Sequence, residues 1–196
     1  MLALGAQGQD PPSDRIDKRE TLRRLRRALR RERAGRWLDR EKDLALRLRV
    51  GRERIAAETG VLGACARCAT PYPLPASAWA GGYCCSGSTE ALFDEVELAA
   101  LAGAGTRPRH LRPPRTDAAG CIFRGSDGCS LPPRHRPNKC LRFLCADARR
   151  EVHARGALDL VEALCRDNER QFEILARIRL ARLERSFCEE LLRRVT

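Results

Sequence analysis

No run of apolar residues in the sequence approaches the roughly 18 to 20 that a membrane-spanning helix needs, so no transmembrane helix is expected. The opening stretch MLALGAQGQDPPSD lacks the basic n-region and apolar h-region of a secretory signal, and export is not expected either. Aromatic residues are scarce: five Phe, two Trp and two Tyr, not interleaved with basic residues in an RNA-stacking pattern. Only Lys18, Lys42 and Lys139 are lysines, and His110, His135 and His153 are the only histidines. No nucleophile elbow, Ser/His/Asp set or phosphate-binding glycine loop is present. GAGTRP at 103–108 follows a helical pattern where a phosphate loop would open one. Hydrolase and kinase chemistry are therefore unsupported, and no residue is assigned a catalytic role.

Proline is absent from two long stretches. All eleven prolines are Pro11, Pro12 or lie between Pro71 and Pro137, so helices can run on either side of the middle segment. In residues 14–59, Leu22, Leu25 and Leu29, then Leu44, Leu48 and Ile55, recur at helical spacing, with Gly35, Gly51 and Gly60 as candidate breaks. From Gly156 to Val195 a second helical region sets Val161, Leu164, Phe172, Leu175, Leu183, Phe187 and Leu191 on one stripe. The two regions are expected to pack on each other or on the cysteine-rich segment. Within that segment FDEVELAALAG reads as a short helix, with Asp94 as N-cap, Glu97 at N3, Phe93 and Leu98 as the hydrophobic staple and Gly103 at its end. The Pro- and Arg-rich GTRPRHLRPPRTDAAG reads as a loop.

The net charge is +12. Residues 1–60 hold 17 basic and 10 acidic side chains, whereas residues 146–196 hold 11 and 10, so most of the excess sits in the N-terminal region. Such a balance supports weak, salt-sensitive association of the Arg-rich arm with nucleic acid, and it does not bear on the fold.

Ten cysteines in 196 residues are many for a cytoplasmic chain. In a compartment that keeps thiols reduced, clustered cysteines point to metal ligands or redox groups before structural disulfides. Eight lie between residues 65 and 145: Cys65, Cys68, Cys84, Cys85, Cys121, Cys129, Cys140 and Cys145. Thiolates select zinc, iron-sulfur clusters or cuprous copper, and Cys65-Ala66-Arg67-Cys68 has the CxxC spacing that brings two sulfurs to one centre. Eight sulfurs would fill two four-coordinate sites, or serve one cluster with several left over; spacing leaves both open. Adjacent cysteines usually direct their side chains apart, so one of Cys84 and Cys85 is expected to face another centre or to pack as a small hydrophobe, with a strained vicinal disulfide as the less favoured alternative. Cys165 and Cys188 lie in the C-terminal helical region and read as ordinary thiols.

These residues together resemble the YkgJ-like cysteine cluster family of zinc- or iron-chelating domains. The likeness rests on Cys65-x-x-Cys68, GGYCC ending at Cys84-Cys85, the FDEVELAAL helix start and GCIFRGSDGCSLPPRHRPNKCLRFLC at 120–145. It covers residues 65 to 145. Fifteen residues separate Cys68 from Cys84, more than the family usually has, and Leu141 follows Cys140 where the family usually has Arg. The resemblance implies a metal-chelating cysteine domain and supplies no substrate. Arg136 and Arg142 are candidates to offset the negative charge of clustered thiolates, against a reading as solvated or carboxylate-paired arginines. His135, between two arginines, reads as a surface turn residue.

The expected fold is mainly α: an irregular cysteine-rich metal-binding core flanked by long N- and C-terminal helices. Its segments are a disordered N-terminus at 1–13, an Arg-rich helical arm at 14–60, a cysteine cluster domain at 61–145 and a C-terminal helical region at 146–196. The expected function is that of a cytoplasmic metal-binding protein with a cysteine-ligated zinc or iron-sulfur centre. Alternatives are a redox enzyme or electron carrier using an iron-sulfur centre, and a basic nucleic-acid-binding adaptor pinned by structural zinc.

Overall fold

The two proline-free stretches form the long helices of the protein, as seen in a computed structural model that describes residues 18–69, 89–115, 121–125 and 128–195. Helices α1 (Lys18–Ala34) and α2 (Asp39–Thr59) come from the first stretch, α7 (Ala146–Ala154) and α8 (Leu158–Val195) from the second. Between them lie α3 (Gly63–Ala69), α4 (Thr89–Leu92), α5 (Glu95–Gly103) and α6 (Asn138–Arg142). A two-stranded antiparallel hairpin pairs β1 (Arg124–Gly125) with β2 (Gly128–Cys129), and single 3-10 turns form at Pro108–His110 and Pro133–His135. The architecture is mainly α. Among the described residues no helix is long and apolar enough to cross a membrane. The N-terminal segment 1–13 and the long insertion before Cys84 fall outside the described residues.

Helix α2 is the element on which the others converge. One turn of its apolar face, Leu44 and Leu48, packs with Ala100 of α5 and Leu175 of α8. Further along, Ile55 packs with Leu141 of α6, Val152 of α7 and Val161 of α8. On the other side of α5, Leu25 and Leu29 of α1 join Phe93, Leu98, Leu111, Phe123 and Leu131 in a third apolar cluster. In it the Phe93 and Phe123 rings sit 5.3 Å apart and tilted, a favourable aromatic geometry. Full burial of each such side chain stabilises by about 1.5–3 kcal/mol. The two helical regions thus pack on each other and on the cysteine-bearing segment, as the patterning predicts.

Gly35 and Gly60 follow the ends of α1 and α2, but Gly51 breaks nothing. It lies inside α2 where α8 crosses, and a Cβ there would stand 2.3 Å from Oδ1 of the buried Asn168. The glycine serves close approach of the two helices. The apolar stripe of α8 also departs from expectation. Val161 and Leu175 are buried, whereas Leu183, Phe187 and Leu191 are 50%, 65% and 47% exposed. The cause is length: at about 1.5 Å per residue the 38-residue α8 outruns the 21-residue α2 it packs against.

Polar contacts fix the corner between α1 and α2 onto α8. Arg179 pairs with Glu32 at 2.6 Å and lies 5.2 Å over the Trp37 ring, while Arg182 pairs at 2.7 Å with the buried Glu41. Glu41 also accepts the backbone N–H of Leu38 at 2.9 Å, closing the start of α2. Where α5 leaves this corner, a Cβ on Gly103 would stand 2.6 Å from the Trp37 ring and 2.8 Å from Cβ of Ala45. Gly103→Ala is therefore expected to destabilise the protein by about 1–3 kcal/mol through overpacking, despite alanine's better helix propensity. A fall in the urea midpoint at unchanged slope would show it; an unchanged or raised midpoint would contradict the packing described.

Candidate metal centre

Five cysteines from separate parts of the chain line a single cavity of about 480 Å³: Cys65, Cys121, Cys129, Cys140 and Cys145. The remaining wall is apolar, from Phe123, Leu141, Phe143 and the end of α2, with two guanidinium groups, Arg124 and Arg136.

Each thiol is held by a local device. At the end of α2, Gly60 takes φ +60 and turns the chain towards α3. Arg155, just beyond α7, donates to the Thr59 carbonyl at 2.7 Å and the Val61 carbonyl at 2.8 Å. A cation is favourable at these free carbonyls of a helix C-terminus. That clamp sets the entry to α3, which carries Cys65. Gly128, at φ +106, brings the hairpin against α3, since a Cβ there would sit 3.3 Å from Cβ of Cys65. Cys129 follows in β2, paired in register with Arg124. Ile122 N–H donates to Thr89 Oγ1 at 3.0 Å and fixes the segment behind Cys121. Arg136 donates to the carbonyls of Leu131 at 2.7 Å and Cys129 at 3.3 Å, folding the proline-rich loop back onto the hairpin. Cys145 is the N-cap of α7, and its sulfur accepts the N–H of Ala148 at 3.5 Å.

Cys140 depends on a buried carboxylate. Glu97 of α5 is fully buried and accepts the backbone N–H groups of Asn138 at 2.8 Å and Lys139 at 3.0 Å, the first residues of α6. Burial pushes its carboxyl up to about 7, while the two N–H donors and the Arg52 guanidinium pull the other way. Arg52, fully buried on α2, is lowered to about 10 by burial, opposed chiefly by Glu97. Its three guanidinium nitrogens make no hydrogen bond among the described residues. Asp94 does cap α5, accepting Glu97 N–H at 2.9 Å, but the Glu97 side chain serves α6.

The structure brings together five of the eight predicted thiols. The side chain of Cys68, and Cys84 and Cys85 entirely, lie outside the described residues. Among the described residues no three His, Cys, Asp or Glu side chains are gathered closely enough to hold a metal ion as they stand. Arg136 lines the cavity; Arg142 instead pairs with Glu169 of α8. Arg124 was not singled out from the sequence, although its place three residues after Cys121 in the hairpin is a legible signal. The expectation of a surface His135 is overturned. It is buried, its Nδ1 lies 3.0 Å from Thr106 Oγ1, and its ring stacks on His110 at 4.4 Å. Burial first, then His110 and Arg134, push it down to about 4, so it is a neutral packing residue and not part of the cavity wall. Cys165 packs against α6, with burial raising its thiol, and Cys188 is exposed on α8. Comparison with known proteins finds no matching family model, no matching curated protein and no matching solved structure.

The Glu97 carboxyl sits above its unfolded value of 4.5, so its contribution to stability is fully present below that pH and is lost as pH rises through about 7. Glu97→Gln keeps the shape, removes the titration and leaves one α6 N–H facing an amide donor. It is expected to cost about 1–3 kcal/mol. The difference between wild type and variant should be largest near pH 4.5 and shrink towards neutrality. Urea unfolding of both proteins across that range checks the sign; a difference that widens with pH would contradict it.

Proposed function

We propose that the protein binds a metal through the thiols of this cavity, as a cytoplasmic member of the YkgJ-like cysteine cluster family, with zinc or an iron-sulfur cluster as its centre. The observation that carries the reading is the convergence of Cys65, Cys121, Cys129, Cys140 and Cys145 on one cavity, although they come from α3, the hairpin segment, α6 and the start of α7. A wall of sulfur donors, apolar side chains and two arginines suits soft or borderline metals and disfavours magnesium or calcium, which take oxygen ligands. Arg124 and Arg136 would offset the charge of deprotonated thiols. The bound group would supply either a structural cross-link or a one-electron couple, according to its identity.

The residues 121–145 form only short elements, and a metal held by them would contribute directly to folding free energy. Metal and acid-labile sulfide are to be measured on protein purified without oxygen, with a visible spectrum. Zinc without sulfide is expected for a structural site; iron with sulfide and a band bleached by dithionite would assign the redox reading. Cys65→Ser and Cys140→Ser should each lower metal affinity by more than the roughly 10- to 100-fold typical of outer-shell changes, and lower the melting temperature. Cys188→Ser, on the exposed part of α8, should change neither. Full metal content and unchanged melting in both ligand variants, or no metal in the wild type, would sink the proposal.

A further inference from the structure

A second feature lies away from the thiol cavity and is independent of it. Arg26, Arg30 and Arg33 recur at i, i+4 and i+7 along one side of α1, and face a turn that carries Arg107, Arg109 and Arg112. Between helix and turn is a cleft of about 330 Å³ lined by Arg26, Arg30, Pro108, Arg109 and Arg112. Backbone carbonyls, not carboxylates, hold its walls. Arg26 donates to Pro108 O at 3.1 Å and Leu111 O at 2.8 Å, Arg33 to Thr106 O at 3.2 Å and Arg112 to Arg109 O at 2.9 Å.

Among the described residues none of the six arginines has an acidic partner. The carboxylates of α1 are engaged elsewhere: Glu20 with Arg23 and Arg24, Glu32 with Arg179. The local field is positive enough to depress the neighbouring His110, after burial, through Arg109, Arg107, Arg134 and Arg112. Crowding like charges without counter-charges costs Coulomb energy that an anion would relieve.

From these contacts we infer that the cleft between α1 and the Arg107–Arg112 turn binds the phosphodiester backbone of nucleic acid without regard to sequence. Guanidinium forks match phosphate oxygens two by two. The α1 row spans about 10 Å at 1.5 Å per residue, longer than a single phosphate, so it fits a repeating polyanion. Among the described residues the cleft has no aromatic side chain on which a base could stack, and no apolar floor beyond Pro108 on which a peptide side chain could bury. Backbone contact alone is what such a surface offers.

The test is fluorescence anisotropy of the full-length protein with two unrelated DNA duplexes of about 20 base pairs, titrated at salt from about 50 to 200 mM. Equal affinities are expected, falling with salt at a slope near −0.9 per phosphate neutralised. Arg30→Glu with Arg109→Glu should weaken binding by at least about tenfold and flatten the slope by about two contacts. Arg170→Glu with Arg185→Glu makes the same change in net charge on exposed positions of α8 and should have little effect. Arg30→Gln with Arg109→Gln, gentler to folding, should fall between wild type and the charge reversal. Circular dichroism and melting confirm that each variant is folded. Equal losses in the two charge-reversed proteins would overturn the cleft as the site, because whole-molecule charge would then explain binding. So would undetectable duplex binding at the lowest salt, or tripolyphosphate binding tightly while duplex does not.

Discussion

The junction between the helical frame and the cysteine-bearing segment rests on one buried carboxylate. Helix α6 has five residues and begins after Pro137, so nothing on its own side satisfies its first N–H groups. Glu97 reaches from α5 and accepts two of them. It is free to do so because Asp94 has already capped α5. Placing Cys140 thus depends on a side chain more than forty residues earlier in the chain. Around it, Lys139 pairs with Asp94, and Asn138 is held by Asn168 of α8. The junction therefore ties α5, α6 and α8 at one point.

Burying Glu97 and Arg52 within one another's field carries a desolvation cost that can reach several kcal/mol per ion, which their attraction offsets in part. No hydrogen bond closes on the Arg52 guanidinium among the described residues, so the two groups act on one another only through their field. Either charge alone would be left uncompensated in the interior, so only a packing that brings α2, α5 and α6 together is tolerated. The apolar clusters on either side, around Leu48 and around Ile55, are less selective because volume-conserving exchanges of one aliphatic side chain for another are tolerated there. Geometry comes from the polar pair and bulk stabilisation from the apolar faces.

What the sequence discloses follows from the same division. Proline distribution and 3.6-residue spacing locate the long helices, and the Asp94, Phe93 and Leu98 pattern locates α5, because these signals are local. Gly51 looks like a break for want of any local sign that Asn168 occupies the space of a side chain. Glu97 at N3 is legible from Asp94, but the partners of its side chain are not, because they lie in another helix. His135 between two arginines reads as solvated, yet Thr106 and His110 bury it through contacts 25 residues or more away in the chain. Cys65 and the cysteines at 121–145 stand out in the sequence by residue type and spacing; the cavity they line depends on contacts distant in the chain, the Gly128 approach and the Arg155 clamp. Leu183, Phe187 and Leu191 continue a pattern whose partner helix has ended.

The thiol cavity and the basic cleft have no residue in common, but one apolar cluster joins their supports. Phe123 and Leu131, from the cysteine-bearing segment, pack with Leu25 and Leu29 on the buried face of α1, whose exposed side carries Arg30. Leu111 belongs to the same cluster, and its carbonyl holds the Arg26 guanidinium at 2.8 Å. Close-packed interiors transmit displacement instead of absorbing it. Anything that ordered residues 121–131, a bound metal included, would therefore also stiffen the floor beneath the arginines. The cysteine segment is in this sense part of the scaffold of the cleft, although the thiols are framed by the end of α2, α3, α6 and α7 while the charge is presented by α1 and the Arg107–Arg112 turn.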